Sequence, residues 1–145
     1  MVAENAERYQ DLLDRVRAEG HTIGNHTYHH ARGCKTDCAT YISDIAHANE
    51  ILDTPLFRPP HGRMTRKQKR AVLDAGYKIY LWDVLTHDYN KHYSVEKMLR
   101  IVQRYVRRGS IIVFHDSLKS KDRMLLVLPK VIEWLQAEGW TFERL

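Results

Sequence analysis

The feature that most constrains the fold is a repeated order of helix, glycine and short apolar segment. Stretches with helical periodicity end at glycines, where helices commonly terminate: Gly20, Gly76, Gly109 and Gly139. Short apolar segments follow these glycines, and we expect strands at 21–23, 77–84, 110–114 and 140–142, with another at 56–57. Helices that alternate with buried strands are typical of an α/β fold with a mainly parallel sheet.

Local signals indicate where the helices begin and which faces they bury. The expected N-terminal caps are Thr36 or Asp37, Thr65, and Ser94. The expected inward residues are Tyr9, Leu12, Leu13 and Val16; Tyr41, Ile45, Ala48 and Leu52; Val72 and Leu73; Met98, Leu99, Val102 and Val106; Leu125, Leu128, Ile132 and Leu135. We expect the last helix to bend near Pro129.

Length and composition indicate one soluble globular domain over residues 1–145, with no transmembrane span. The net charge of +5 comes from scattered basic residues. The basic run at 66–70 fits the solvated face of a helix, so we expect no nucleic-acid partner.

His26 and His30 lie four residues apart, a spacing that would bring both imidazoles to one side of a helical turn. Neutral imidazole is a common ligand of transition metals. Both histidines could equally be ordinary loop residues, and the pair would in any case be only half of a metal site. The segment therefore poses the question of where further ligands lie.

Unusual polar residues follow the expected strands. The residues after successive strands are His26 and His30, then Arg58, then Asp83 and Asp88, then His115 and Asp116. In α/β barrels the functional face lies at the C-terminal ends of the strands, so we expect these side chains to converge. Each has an ordinary alternative: His115 could bond to backbone, and Asp88 could cap a turn with Asn90.

These segments resemble the motifs of the polysaccharide deacetylases, the NodB-homology group of carbohydrate esterase family 4. The matching segments are His26-Thr27-Tyr28-His29-His30, Arg58-Pro59-Pro60-His61, Asp88-Tyr89 and Val113-Phe114-His115. The chain departs from the family where His61 replaces tyrosine, Tyr89 replaces tryptophan and Leu85 replaces an acid, and Asp83 is out of register. The resemblance implies a partial, distorted (β/α) barrel that removes acetyl groups from peptidoglycan, chitin-like glycans or xylan.

The resemblance also implies roles for the residues. His26 and His30 would hold a divalent metal, with zinc favoured, that activates water and polarises the acetyl carbonyl. The backbone N–H of His61 would stabilise the oxyanion, and Tyr89 would line the substrate groove. His115 would act as general acid, with Asp88 as its partner.

The family's first motif, a Thr-Phe-Asp-Asp stretch, has no counterpart in this sequence. By resemblance its aspartates are the general base, which Arg58 orients, and the third metal ligand. We therefore expect that the first strand–helix unit is missing, that the domain is N-terminally truncated and that its activity is impaired. A homodimer could cover the sheet edge that this truncation would expose.

Two alternatives remain open. A structural zinc module could use His26, His30, Cys34 and Cys38, which follow one another at intervals of four. A non-catalytic relative could bind glycans in the same groove. Family members are often exported or act at the cell envelope, but the sequence shows no signal peptide, and the compartment stays open.

Overall fold

The helices and strands follow one another in the α/β order that the glycine pattern predicts. In the computed structural model, which describes residues 1–145, the helices are α1 (Ala3–Arg8), α2 (Gln10–Ala18), α3 (Cys38–Leu52), α4 (Arg66–Asp74), α5 (Val95–Tyr105) and α6 (Lys121–Ala137). The strands are β1 (Leu56–Phe57), β2 (Lys78–Ile79), β3 (Val84–Leu85) and β4 (Ile112–Val113). None of the helices is both long and apolar enough to cross a membrane.

All strand pairing is parallel, as expected for this class. β1 pairs with β2, with Phe57 opposite Ile79, and β3 pairs with β4, with Leu85 opposite Val113. Asn25 adds an isolated parallel bridge to Phe57. The strands form two-stranded sheets and no closed barrel.

The chain divides into two compact units, each with its own core. The first unit is Met1–Leu81 with Arg144–Leu145, and the second is Trp82–Glu143. The buried apolar side chains of the first unit are Ala3, Ala6, Leu13, Tyr41, Ile45, Ala48, Leu52, Phe57 and Val72. Those of the second are Val84, Met98, Val102, Val127, Val131 and Leu135.

The helix caps match the predictions because they depend on local hydrogen bonds. The Asp37 side chain accepts from the Thr40 N–H at 3.0 Å, and the Ser94 hydroxyl accepts from the Lys97 N–H at 3.2 Å. Thr65 forms a reciprocal capping box with Gln68. The four predicted inward residues of α3 are all buried, which confirms that face as well.

Three predicted strands are wrong in extent. Residues 21–23 and 140–142 form no strand, and the segment 77–84 divides into β2 and the start of β3, which belong to different sheets. An apolar segment becomes a strand only where a neighbouring strand supplies hydrogen bonds. After residues 21–23, only Asn25 pairs with β1, through its bridge to Phe57.

Some predicted helix faces are also wrong. In α6 the buried residues are Val127, Val131 and Leu135, whereas Leu125 is 56% exposed and Ile132 is 36% exposed. The run at 124–128 is apolar throughout, so the periodicity fits more than one face and tertiary packing selects among them. Pro129 lies inside α6 without ending it. The other predicted inward residues that are exposed are Tyr9, Leu12 and Leu73.

Candidate active site

The segment that carries His26 and His30 is a loop and not the helical turn that the spacing suggested. Thr27 and His30 have φ angles of 64° and 56°, a left-handed conformation that interrupts any helix. The two imidazole rings nevertheless lie close, with 5.0 Å between their centroids. The turn therefore brings the histidines together by a different backbone path.

Asn25 holds the start of this loop and was missed in the sequence. Its fully buried side chain donates to the Ile45 carbonyl of α3 at 2.9 Å and accepts from the Thr27 N–H at 2.9 Å. The Thr27 hydroxyl in turn accepts from the Ala31 N–H at 2.9 Å, across His30. These bonds offset the strain of a β-branched residue at positive φ.

Asp44 of α3 holds the middle of the loop and was also missed. Its carboxylate accepts from the backbone N–H groups of Tyr28 and His29, at 3.0 and 3.2 Å, and pairs with the His29 ring. Tyr28 also stacks on His47, with 4.1 Å between ring centroids. The contacts of Asp44 join residues 16 and 15 positions apart in the sequence, so no local signal could reveal them.

The His26 ring is held in one tautomer. Its Nδ1 lies 2.6 Å from the Arg58 carbonyl oxygen, which can only accept, so Nδ1 carries the proton and Nε2 keeps its lone pair. Burial lowers the pKa of His26 to about 3, which keeps the ring neutral. A neutral imidazole whose second nitrogen bonds a carbonyl is the usual form of a metal-binding histidine.

The residues present could supply two ligands to a metal ion, but they do not form a complete metal site. His26 and His30 supply two imidazoles, but no group of three or more His, Cys, Asp or Glu side chains is placed to hold an ion. Cys34 and Cys38 lie in a 3₁₀ turn and at the start of α3, and they join no such group. The structural zinc module therefore gains no support from the structure.

Arg58 and His61 follow β1 and lie beside the histidine loop. The half-buried Arg58 guanidinium donates to the carbonyls of Tyr80 and Leu81, at 3.1 and 3.3 Å, and forms no ion pair with a carboxylate. Burial lowers the pKa of Arg58. His61 occupies a 3₁₀ turn with φ 58°, and its ring lies 4.9 Å from that of His30. The His30 ring thus neighbours the rings of both His26 and His61.

In the second unit, Asp88 and His115 form a close pair. The fully buried Asp88 carboxylate accepts from both the backbone N–H and the ring Nδ1 of His115, each at 2.6 Å. The Tyr89 ring meets the His115 ring edge-on, with 4.8 Å between centroids. The ordinary alternatives for these residues therefore do not hold, because the His115 ring bonds a carboxylate and the Asp88 carboxylate caps no turn with Asn90.

Asp83 takes no part in this cluster. It pairs with Arg107 at 2.7 Å, and that guanidinium lowers the pKa of the Asp83 carboxyl. The structure thus groups His26, His30, Arg58 and His61 in the first unit and Asp88, Tyr89 and His115 in the second. Convergence of the two groups on one face stays a prediction.

Comparison with known proteins identifies the family. The profile of the family described as polysaccharide deacetylase matches residues 1–80 of this chain, the part that contains the histidine loop and Arg58. The chain belongs to the polysaccharide deacetylase family.

Relatives with known names align with most of this chain in sequence. A peptidoglycan-N-acetylglucosamine deacetylase of Bacillus cereus is 31% identical over 98% of this chain and 54% of its own length. Chitin deacetylase 2 of Saccharomyces cerevisiae is 25% identical over 88% of this chain and 45% of its own length. The chain thus spans about half of the length of these relatives.

Solved structures support the α/β fold of the NodB type. The crystal structure of the Bc1960 peptidoglycan N-acetylglucosamine deacetylase matches with a TM-score of 0.92 and 30% identity, over 99% of this chain and 70% of that one. A family 4 carbohydrate esterase from Streptomyces lividans matches with a TM-score of 0.82 and 22% identity, over 94% of this chain and 72% of that one. The second likeness concerns the fold alone.

Proposed function

We propose that this protein takes part in metal-dependent hydrolysis of acetyl groups on a polysaccharide, with N-acetylated peptidoglycan or a chitin-like glycan as substrate. The observation that carries the proposal is the pair of close imidazoles, of which His26 is held neutral with its Nε2 lone pair available. Family membership supports the class of reaction, and relatives named for peptidoglycan and chitin support the class of substrate.

We propose that His26 and His30 hold the metal. When bound, a divalent ion would polarise the acetyl carbonyl and lower the pKa of a water ligand. Zinc suits two imidazoles joined by a carboxylate. The Arg58 carbonyl would keep His26 in the ligating tautomer.

The remaining roles follow the resemblance. His115 would protonate the departing amine from Nε2, since Nδ1 is engaged by the Asp88 carboxylate. The backbone N–H of His61 would donate to the oxyanion, and this role does not depend on the side chain. Tyr89 would contact the sugar. Arg58 would orient the base aspartate of the family's first motif.

We also propose that these 145 residues alone release acetate slowly, because their sequence contains no Thr-Phe-Asp-Asp stretch to supply the base. A non-catalytic glycan-binding role is the second candidate. The observation that favours it is the Arg58 guanidinium, which bonds carbonyls and meets no carboxylate.

Zinc binding and acetate release test the proposal together. Isothermal titration should show one zinc site in the wild-type chain and its loss in a His26→Ala/His30→Ala double variant, with a His21→Ala/His92→Ala variant as the matched control. Acetate release from acetylated peptidoglycan and chito-oligosaccharides should depend on the metal. Unaltered zinc affinity in the double variant would contradict the assignment of the ligands.

Binding of chito-oligosaccharide without any turnover would favour the second candidate. The homodimer is also a proposal, and sedimentation equilibrium of the purified chain tests it directly. A single species at monomer mass across the micromolar range would remove it.

A further inference from the structure

The turn that precedes α6 reaches the main chain of both Asp88 and His115. Ser120 is fully buried, and its hydroxyl donates to the His115 carbonyl at 2.7 Å. Its oxygen also lies 2.6 Å from the Ser117 hydroxyl. A hydroxyl has one proton, and the His115 carbonyl is nearer to it than the Ser117 carbonyl at 3.2 Å, so Ser117 is the donor in the contact between the two hydroxyls.

Arg123, one turn further along, holds the other member of the pair. Its Nε donates to the Asp88 carbonyl at 2.9 Å, and a terminal nitrogen donates to the Lys119 carbonyl at 2.8 Å. The guanidinium is planar, so these two bonds together define its orientation between the loop after β3 and the start of α6. A point-like ammonium could not reproduce both bonds.

The geometry of the pair depends on where these two backbones lie. One carboxylate accepts both the backbone N–H and the ring Nδ1–H of His115, each at 2.6 Å. Both bonds stay short only while the main chain at 88 and at 115 keeps its spacing. Ser120 and Arg123 bond to that main chain and form no hydrogen bond to the Asp88 carboxylate or the His115 imidazole.

We infer that Ser120 and Arg123 are positioning residues for the Asp88–His115 pair, which they keep in register so that His115 holds its proton on Nδ1 and leaves Nε2 for proton transfer. The inference rests on the proposed role of His115 as general acid. Without the two tethers, the Asp88 carboxylate would no longer hold the Nδ1 proton, so the ring would sample the other tautomer and Nε2 would no longer be oriented for proton transfer.

Nitrogen-15 NMR of histidine-labelled protein tests this inference without metal or substrate. At constant pH, the His115 Nδ1 proton should exchange with solvent about tenfold faster in Arg123→Ala and in Ser120→Ala, since each variant loses the bond that tethers one backbone of the pair. The population of the Nε2–H tautomer should rise as well. Arg123→Lys should fall between wild type and Arg123→Ala, because it retains one donor.

Two further variants make the measurement specific. His115→Gln identifies the resonances of His115 by their loss. Arg104→Ala, which removes an exposed arginine of α5, should leave the exchange rate and the tautomer of His115 unchanged. Circular dichroism confirms that each variant is folded, and Ser120→Ala carries the test if Arg123→Ala does not fold. If a folded variant kept the wild-type exchange rate of the Nδ1 proton and the wild-type tautomer population, the role of the substituted residue would be overturned. Failure of the deacetylase proposal would appear separately, as absent acetate release.

Discussion

The two groups of candidate site residues are organised in different ways. In the second unit, Asp88 and His115 contact each other directly, with a buried carboxylate that accepts two short bonds from one residue. In the first unit, His26 and His30 share a strained loop whose shape depends on Asn25 and Asp44, two residues outside the pair. The comparison teaches that Asp88 and His115 are joined by a direct contact in addition to the bonds that tether their main chain, whereas the shape of the histidine loop depends on residues outside the histidine pair.

The largest expected effect is on the directly bonded Asp88–His115 pair. Asp88→Ala should lower the free energy of unfolding by about 3 kcal/mol, because two short bonds to a buried carboxylate are lost and two partly buried donors of His115 lose their acceptor. Urea denaturation measures the change. Asp83→Ala is the matched control, since the Asp83–Arg107 pair is exposed and should contribute far less. Equal losses in both variants would contradict the contrast between the pairs.

The scaffold of the histidine loop should show the next largest effect. Asn25→Ala should cost about 2 kcal/mol, because the buried side chain makes two hydrogen bonds that no other group replaces. It should also weaken zinc binding, although Asn25 is not a proposed ligand. Thermal melting and zinc titration measure both, with Asn5→Ala on the exposed face of α1 as control. Unchanged zinc affinity would show that the loop holds its shape without Asn25.

One part of the pH dependence of stability should come from His26 in the first unit. Burial lowers the pKa of His26 from 6.5 to about 3, so between these values the unfolded chain binds a proton that the folded chain does not. The stabilisation is therefore complete above pH 6.5 and is lost as the pH falls towards 3. In metal-free buffer, His26→Gln should flatten this part of the urea-midpoint profile, and His92→Gln should not.

The smallest effect should come from backbone strain at His61. Glycine adopts positive φ without a steric penalty, so His61→Gly should raise the free energy of unfolding by up to about 1 kcal/mol. His92→Gly, at an exposed position without positive φ, should be neutral or slightly destabilising. A loss of stability in His61→Gly would mean that the contacts of its ring outweigh the strain.

Much of the fold was accessible from the sequence because it depends on near neighbours. The caps at Asp37, Thr65 and Ser94 and the buried face of α3 are local patterns, and all were predicted correctly. The strands at 21–23 and 140–142 were wrong, because a ladder needs a partner that sequence periodicity does not supply. The face of α6 was wrong because an all-apolar run has no unique period.

The sequence alone determined the α/β order and the family to which the motifs belong, and it supplied the candidate site residues. Only the tertiary structure decided how those side chains are held: the loop conformation at His26 and His30, the tautomer of His26, and the tethers at Asn25 and Ser120. The physical reason is that residue type sets which bonds a group can make, whereas packing across the chain sets which partner it meets.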